Sequence, residues 1–408
     1  PLFFFNDTET TEIYTRKSVG SVRCVLETLI ILLVTRLPEI FMYRRYVKRR
    51  LGNVWARIAW WLPTLLITVS TIGVSLTRDF APHNLTLFNT YLFITALVVL
   101  PKLTFVLCSL AGRLARRMLK LRRNWGNYVG LVLVLAELYI LFHGTMVGTD
   151  RLNVRQVTIE FDDLPTAFDG YRIAQFTDVH LGSMKDELML RAVTAIDDMR
   201  PDLIVFTGDI QNMGPDELPR FAQTLKRLKA KDGVMSVLGN HDYSRYVNVS
   251  PEEALRNERM TRDFETSVGW QLLLNDNRIV RRGSDSIVIA GGENDGRPPF
   301  PAKADLKKTL HGIDAKSFVV MLQHDPSAWR RHILPQTNAQ LTLSGHTHGG
   351  QISLFGLRPT ELVGKEDDGL YAEGKRKLFV STGLGGFIPF RFYMNPEVVE
   401  ITLKRTNK

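Results

Sequence analysis

Five apolar runs in the C-terminal part of the chain end in residues that bind metal ions. LTLSGHTHGGQI (residues 341–352) closes an apolar run with glycine and then sets His346 and His348 one residue apart. YRIAQF leads into Asp178 and His180, and DLIVF into Asp209. GVMSVL leads into Asn240, His241 and Asp242, and FVVML into His324. Five of the nine histidines belong to this set. Asp, Asn and neutral His offer oxygen and nitrogen ligands without thiolate, which suits Mn, Fe, Zn or a similar divalent ion. The ligand candidates Asp178, His180, Asp209, Asn240, His324, His346 and His348 are too many for one tetrahedral site. They suit two divalent metal ions sharing a carboxylate. Ions about 3.5–4 Å apart can hold both oxygens of a phosphate ester, generate hydroxide at neutral pH and stabilise an in-line displacement.

The elements that must position these residues are strands and helices in alternation. Helices are expected at Asp186–Met199, near 216–230 and at Pro251–Ser267. Further strand-like runs (SIVIA, KLFVS, VVEITL) follow. Such alternation indicates packed α/β layers. Loops at the carboxyl ends of strands in such sheets form a crevice, so the five runs can converge on one point. In Asp-x-His and His-x-His the spacing puts both ligands on one side of an extended segment. Glycines 208, 239, 345, 349 and 350 are expected to let backbone approach the ions without a Cβ clash. The Gly/Pro-rich stretch 291–301 reads as a surface loop. Asp-x-His, GD and GNHD alone each have an ordinary structural explanation as a cap or turn, whereas the paired imidazoles of GHTHGG have few structural uses and the ordered set of five has none.

The first 149 residues differ in character. They carry 18 Lys/Arg against 7 Asp/Glu, while residues 150–408 carry 34 against 35. The near-neutral C-terminal part argues against nucleic acid as a partner. The two cysteines, Cys24 and Cys108, support neither a disulfide framework nor a thiolate zinc site. Residues 54–76, 85–112 and 126–148 are each long and apolar enough to span a bilayer. A first segment, 21–43, is interrupted by Arg36, Pro38 and Glu39. It reads as a fourth, kinked span or as an interfacial helix. The loops after the first and third spans are rich in Lys/Arg, and the loop between them is not. Basic loops stay cytoplasmic, so the C-terminal part is expected outside the cytoplasm. Lys102 and Glu137 lie at membrane depth, where an ionisable group marks a functional site or a helix-pairing contact.

The ordered set DxH, GD, GNHD, H and GHTH resembles the calcineurin-like metallophosphoesterase family over roughly residues 171–404. GHTHGGQ and the later STGLGG are similar to its membrane-associated bacterial members. The resemblance implies a fold of two packed mixed β-sheets flanked by helices. It implies that Asp178, His180 and His348 bind one ion, that Asn240, His324 and His346 bind the other, and that Asp209 bridges them. His241 would contact the phosphate and assist the leaving group, with Asp242 orienting it. His324, a lone histidine, has His311 and His332 as competitors. The expected organisation is a transmembrane region of about four helices (1–149), a connector (150–170) and a metallophosphoesterase domain (171–408).

The expected protein is thus an integral protein of the cell membrane. It would hydrolyse an envelope or lipid phosphoester, mono- or diester, by metal-activated hydroxide attack. Its partners would be the bilayer and a phosphorylated lipid or envelope substrate. Two alternatives remain at this point: a cytoplasmic-face hydrolase of a lipid-nucleotide pyrophosphate, and a non-catalytic metal-binding scaffold. The aromatic stretch FIPFRFYMNP (387–396) reads as a lipid-facing edge or as a packed C-terminal loop.

Overall fold

The structure is a computed structural model that describes residues 33–76, 85–247, 249–298, 300–364 and 366–406. The chain divides into two compact units, with the boundary between His143 and Gly144. In the N-terminal unit, α1 (Val54–Leu76), α2 (Leu85–Met118) and α3 (Gly126–Met146) are long and apolar enough to cross a membrane. The α2 helix runs on through Pro101 and ends beyond the expected residue 112. Proline is tolerated inside membrane helices because neighbouring groups take up the freed carbonyl. Helices α2 and α3 approach closely at two glycines. A Cβ on Gly112 would lie 2.4 Å from the Gly126 nitrogen, and one on Gly126 would lie 2.0 Å from the Cys108 carbonyl oxygen. Small residues at such contacts are how helices pack in lipid. Of the first apolar segment, residues 21–32 lie outside the described residues. Residues 33–42 are helical and run into a π-turn at Tyr43–Val47. Lys102 pairs with the buried Glu39, whose Oε2 also accepts from Thr64 Oγ1 at 2.7 Å.

The second unit is built from twelve strands in two six-stranded sheets. The first sheet contains β1 (Asn153–Phe161), β2 (Tyr171–Phe176), β3 (Leu203–Phe206), β4 (Val234–Ser236), β5 (Gln271–Leu272) and β12 (Glu397–Arg405), in the order β1-β12-β2-β3-β4-β5. The second contains β6 (Asp276–Arg282), β7 (Asp285–Gly291), β8 (Phe318–Leu322), β9 (Leu341–Ser344), β10 (Gly369–Glu373) and β11 (Arg376–Val380), in the order β10-β11-β9-β8-β7-β6. Strands β2 to β5 are parallel, as are β7, β8, β9 and β11, and antiparallel pairs complete both sheets. The inner faces bury Ile173, Val205, Ile401, Ile289, Val320, Leu343 and Phe379 in one cluster between the sheets. Helix α4 (Asp186–Met199) covers the outer face of the first sheet through Leu188, Ala192, Val193 and Ile196.

Two expectations need correction. The stretch 150–170 is not a bare connector. It holds β1, which pairs in parallel with all nine residues of β12. Its weak burial pattern, with one face open, hid a strand at the sheet edge. The helix expected near 216–230 is instead a series of short turns, Pro215–Glu217 and Pro219–Phe221, followed by one helical turn at Ala222–Leu225. Two prolines four residues apart remove the N–H groups a continuous helix needs. Helix α5 (Pro251–Ser267) forms as expected, with the Ser250 hydroxyl accepting from the Glu253 N–H.

The inter-sheet core sets a stability test. Leu343→Ala removes a fully buried side chain from β9 and should destabilise the unit by about 2–5 kcal/mol. Leu190→Ala, on the exposed face of α4, should stay within about 0.5 kcal/mol. Chemical denaturation of the detergent-solubilised protein measures both.

Candidate metal centre

All the expected ligand side chains meet at the carboxyl ends of β2, β3, β8 and β9 and at the turn after β4. Their ligand atoms fall into adjoining groups: Asp178, His180 and His348; Asp209, His324 and His346; and His180, Asp209 and His241. Asp209 Oδ2 lies 3.1 Å from His324 Nε2 and 3.7 Å from His180 Nε2, between the two main groups. Asn240 Oδ1 sits 3.1 Å from His324 Nε2. Asp178 Oδ1 is 3.6 Å from His348 Nε2. The competitors of His324 go elsewhere: His332 pairs with Asp295, and the backbone carbonyl of His311 accepts from Asn277.

The backbone at these positions is unusual. Asp178, His180, Asp209, His346 and His348 all have positive φ, between 50° and 74°. Non-glycine residues seldom adopt this left-handed region, and clusters of such residues mark functional sites. The sharp turns let each strand end deliver a carboxylate or imidazole in place of continuing the ladder. Three glycines give the clearance expected of them, the first being Gly208, where a Cβ would lie 2.5 Å from the Gly239 nitrogen and 2.8 Å from His324 Nδ1. A Cβ on Gly239 would lie 2.2 Å from Asp209 Oδ1, and one on Gly345 would lie 2.2 Å from Asp178 Oδ2. Gly349 and Gly350 serve otherwise. They form a left-handed turn packed against Met394 and Thr360.

The donor set fits divalent metal. His180 is fully buried, and neither of its ring nitrogens has a hydrogen-bond partner. Burying an unpartnered polar group is costly, and an ion on one nitrogen removes that cost. Burial, reinforced by His241, holds His180 well below the ordinary histidine range. Burial and then the Arg391 guanidinium do the same for His348. Both imidazoles are therefore neutral, the form a metal requires. Burial alone would raise the carboxyl of Asp209, but His324 and His241 hold it well below its usual value. The Nδ1–H of His324 donates to the Thr207 carbonyl at 2.8 Å, which leaves Nε2 to face the ligand group.

His241 and Asp242 differ from expectation. Asp242 does not touch the His241 ring. Its carboxylate accepts the backbone N–H groups of Gly239 (2.7 Å), Asp209 (2.9 Å), Ile210 (2.9 Å) and Gln211 (3.4 Å). It thereby ties the end of β3 to the turn after β4. The group that orients His241 is the Asn212 carbonyl, 2.6 Å from Nδ1. Asn212 is held in turn because Glu217 accepts its N–H at 2.6 Å.

Three contributors carried no sequence signal. Tyr246 stacks on His241 with ring centroids 4.2 Å apart, and its hydroxyl accepts from Asn240 Nδ2 at 2.7 Å. That contact turns Asn240 Oδ1 toward the ligand group. Phe300 stands edge-on to His346. Arg391 is fully buried, with Nη2 3.2 Å from His348 Nδ1 and further bonds to the carbonyls of Gly383 and Gly385. Burial lowers its guanidinium to about 10.

A two-sheet α/β sandwich with this oxygen and nitrogen donor cluster is a metal-dependent phosphoesterase. Residues 171–350 match the calcineurin-like phosphoesterase family, and residues 23–149 match the transmembrane domain of calcineurin-like phosphoesterases. The metallophosphoesterase YkuE of Bacillus subtilis is 32% identical over 261 residues, which cover 61% of this chain and 85% of that protein. A transmembrane protein with metallophosphoesterase domain from Danio rerio is 28% identical over 402 residues, covering 90% of this chain and 87% of that protein. The UDP-2,3-diacylglucosamine pyrophosphatase LpxG of Chlamydia trachomatis is 30% identical over 302 residues, covering 60% and 88%. The chain belongs to the calcineurin-like phosphoesterase family, and it is a membrane protein with a metal-dependent hydrolase domain.

The Tyr246–Asn240 contact makes a prediction. Tyr246→Phe keeps the stacking ring and removes the hydroxyl that fixes the Asn240 amide. Metal affinity should fall about 10–100-fold, the usual effect of losing a partner that orients a ligand, with little change in folding. Titration of the metal-free protein with Mn²⁺ reads the affinity directly.

Proposed function

We propose that the protein hydrolyses a lipid or envelope phosphoester, mono- or diester, at a centre holding two divalent ions, with the hydrolase domain outside the cytoplasm. The division of the ligand set into two groups on either side of Asp209 supports this reading most directly. Asp178, His180 and His348 would hold one ion, Asn240, His324 and His346 would hold the other, and Asp209 would serve both. Such ions supply charge neutralisation at the phosphoryl oxygens and a nucleophile from water at neutral pH. The remaining tasks fall to the protein. The Asn212 carbonyl holds the Nδ1–H of His241, so the doubly protonated imidazolium would give its Nε2 proton to the departing ester oxygen and be left as the neutral Nδ1–H tautomer. Tyr246 stacks on the same ring and prevents it from swinging away. Asp242 keeps the Asp209 and Asn240 turns in register. The domain takes in β1 as well as residues 171–408. The basic loops around residues 44–50 and 113–123 support the placement outside the cytoplasm.

LpxG favours a second reading. Its name is that of a pyrophosphatase acting on a nucleotide-linked lipid. In this reading the same residues would cleave a pyrophosphate bond at the cytoplasmic face.

Hydrolysis of a soluble aryl phosphodiester with added Mn²⁺ tests the residue roles. His241→Ala should lower kcat by about 10²–10⁴-fold, the usual contribution of a positioned acid or base, and Asp209→Asn should abolish turnover. Full activity in both variants would sink the mechanism. The side of the membrane is a separate question, answered by reporter enzymes fused after Lys408. Activity of a reporter that works only outside the cytoplasm is expected. Activity of a cytoplasmic reporter would favour the pyrophosphate reading.

A further inference from the structure

We infer that the hydrolase unit makes its own lipid contact, through an apolar rim formed by residues 352–363 and 387–393 that enters the bilayer surface. The inference rests on α3 as a membrane span and does not depend on which phosphoester is cleaved.

The first half of the rim follows the His348 turn. Leu354 and Leu357 exchange both backbone hydrogen bonds, at 2.9 and 3.0 Å, and close a two-residue hairpin. Phe355 and Gly356 form its tip with φ of 54° and 84°. Turns of this type favour Asn-Gly or glycine pairs, because both central residues need positive φ. A phenylalanine at the first position strains the backbone, and its side chain touches nothing, being 104% exposed. Leu357, Leu362 and Val363 continue the apolar surface at 58%, 72% and 70% exposure. The charges within the loop are neutralised locally. Arg358 pairs with the buried Asp367 at 2.8 Å and with Glu361 at 3.3 Å.

The second half contributes the exposed side chains of Ile388 and Tyr393. Hydrogen bonds join it to the first. The Phe392 N–H donates to the Gln351 carbonyl at 2.9 Å, the Ser353 N–H to the Phe392 carbonyl at 2.8 Å, and Gln351 Nε2 to the Ile388 carbonyl at 3.0 Å.

This second segment is also fastened to the point where the chain leaves α3. The Arg391 N–H donates to the Gly144 carbonyl at 2.8 Å, satisfying an acceptor in the last turn of that helix. A Cβ on Gly144 would lie 2.3 Å from the Phe390 ring, and one on Gly148 would lie 1.6 Å from the Arg391 carbonyl oxygen. Only glycine permits that approach. The rim is therefore tethered to the residues at which a membrane span ends, and exposed apolar side chains held there are suited to lipid. Other exposed apolar side chains of this unit, such as Leu190 on α4 and Leu255 on α5, lie on different elements.

Site-directed spin labelling of the full chain in nanodiscs of phosphatidylethanolamine and phosphatidylglycerol tests the inference. Cys24→Ser and Cys108→Ala remove the native thiols. Single labels then go on Phe355→Cys, Leu362→Cys and, as a reference, Leu255→Cys. The ratio of collisions with oxygen to collisions with a water-soluble nickel complex should be several-fold higher at 355 and 362 than at 255. Equal ratios at all three positions would place the rim in water and overturn the inference. Exclusion of both probes at 355 and 362 would mean that protein covers the rim, and would overturn it equally. Two rim positions keep the result readable if one variant folds poorly.

Discussion

Four backbone N–H groups from two different strand ends converge on the buried carboxylate of Asp242. Neither strand end can move without breaking bonds to a fully buried carboxyl group, whose titration burial and then the neighbouring Asp209 push up to about 7. Asp209 and Asn240 belong to these two turns, so their spacing follows from this one side chain. The His241 N–H donates to Asp209 Oδ1 at 2.8 Å, closing the same loop from the other side. An unsatisfied buried donor costs roughly 1–3 kcal/mol. The clamp is therefore strong enough to hold ligand residues in conformations they would otherwise leave.

Those conformations explain the density of glycines around the centre. Five ligand candidates occupy the left-handed region, each at an energy cost. A strand that continued straight would keep the two ligands of Asp-x-His or His-x-His on one face but roughly 6.6 Å apart along the chain. Turning at once after β2, β3 and β9 brings carboxylate and imidazole to one point, and the turns can approach only where no Cβ intervenes. Gly239 beside Asp209 and Gly345 beside Asp178 are such places. Electrostatics reinforces the geometry. Burial keeps His180 and His348 neutral, while neighbouring imidazoles keep Asp209 ionised. His180, His348 and Asp209 are thus in the protonation state that a cation selects, whereas Asp209 overcomes burial and raises the His324 imidazole to about 10, so an ion there would have to displace a proton.

The sequence made the ligand candidates legible because each follows an apolar run, and a run that stops at Asp or His advertises a strand end. Helices α4 and α5 were legible for the same reason, since their periodic patterns carry clear starts. What stayed hidden has no local pattern. Tyr246 acts through a stacking contact and one hydroxyl, and Asn212 acts through a backbone carbonyl that any residue could supply. Arg391 sits in an aromatic stretch whose burial depends on the distant Gly144 and Gly148. Asp242 was noticed, but its role was misread. Adjacency to His241 suggested a side-chain pair, whereas the turn geometry points its carboxylate at backbone N–H groups. The β1 strand was missed because an edge strand with one open face lacks a continuous apolar run.

Charge in the membrane half follows a different logic. Lys102 lies within α2, where an isolated ammonium would be expensive. It is paired with Glu39, which is wholly buried and also accepts from the Thr64 hydroxyl. The Lys102 ammonium additionally sits 5.4 Å from the centre of the Trp60 ring. An ion pair with this many partners ties α2 to the preceding helical segment and to α1. Removing either charge alone would leave the other buried without a counter-ion, which costs more than the pair contributes. The interruption of the first apolar segment by Glu39 is then no defect in a membrane helix. It is one half of a contact whose other half lies 63 residues away in the chain. The twelve cations between Arg44 and Arg57 and between Arg113 and Arg123 differ from this pair in having no acidic neighbour in sequence, and basic clusters of this kind attract anionic headgroups.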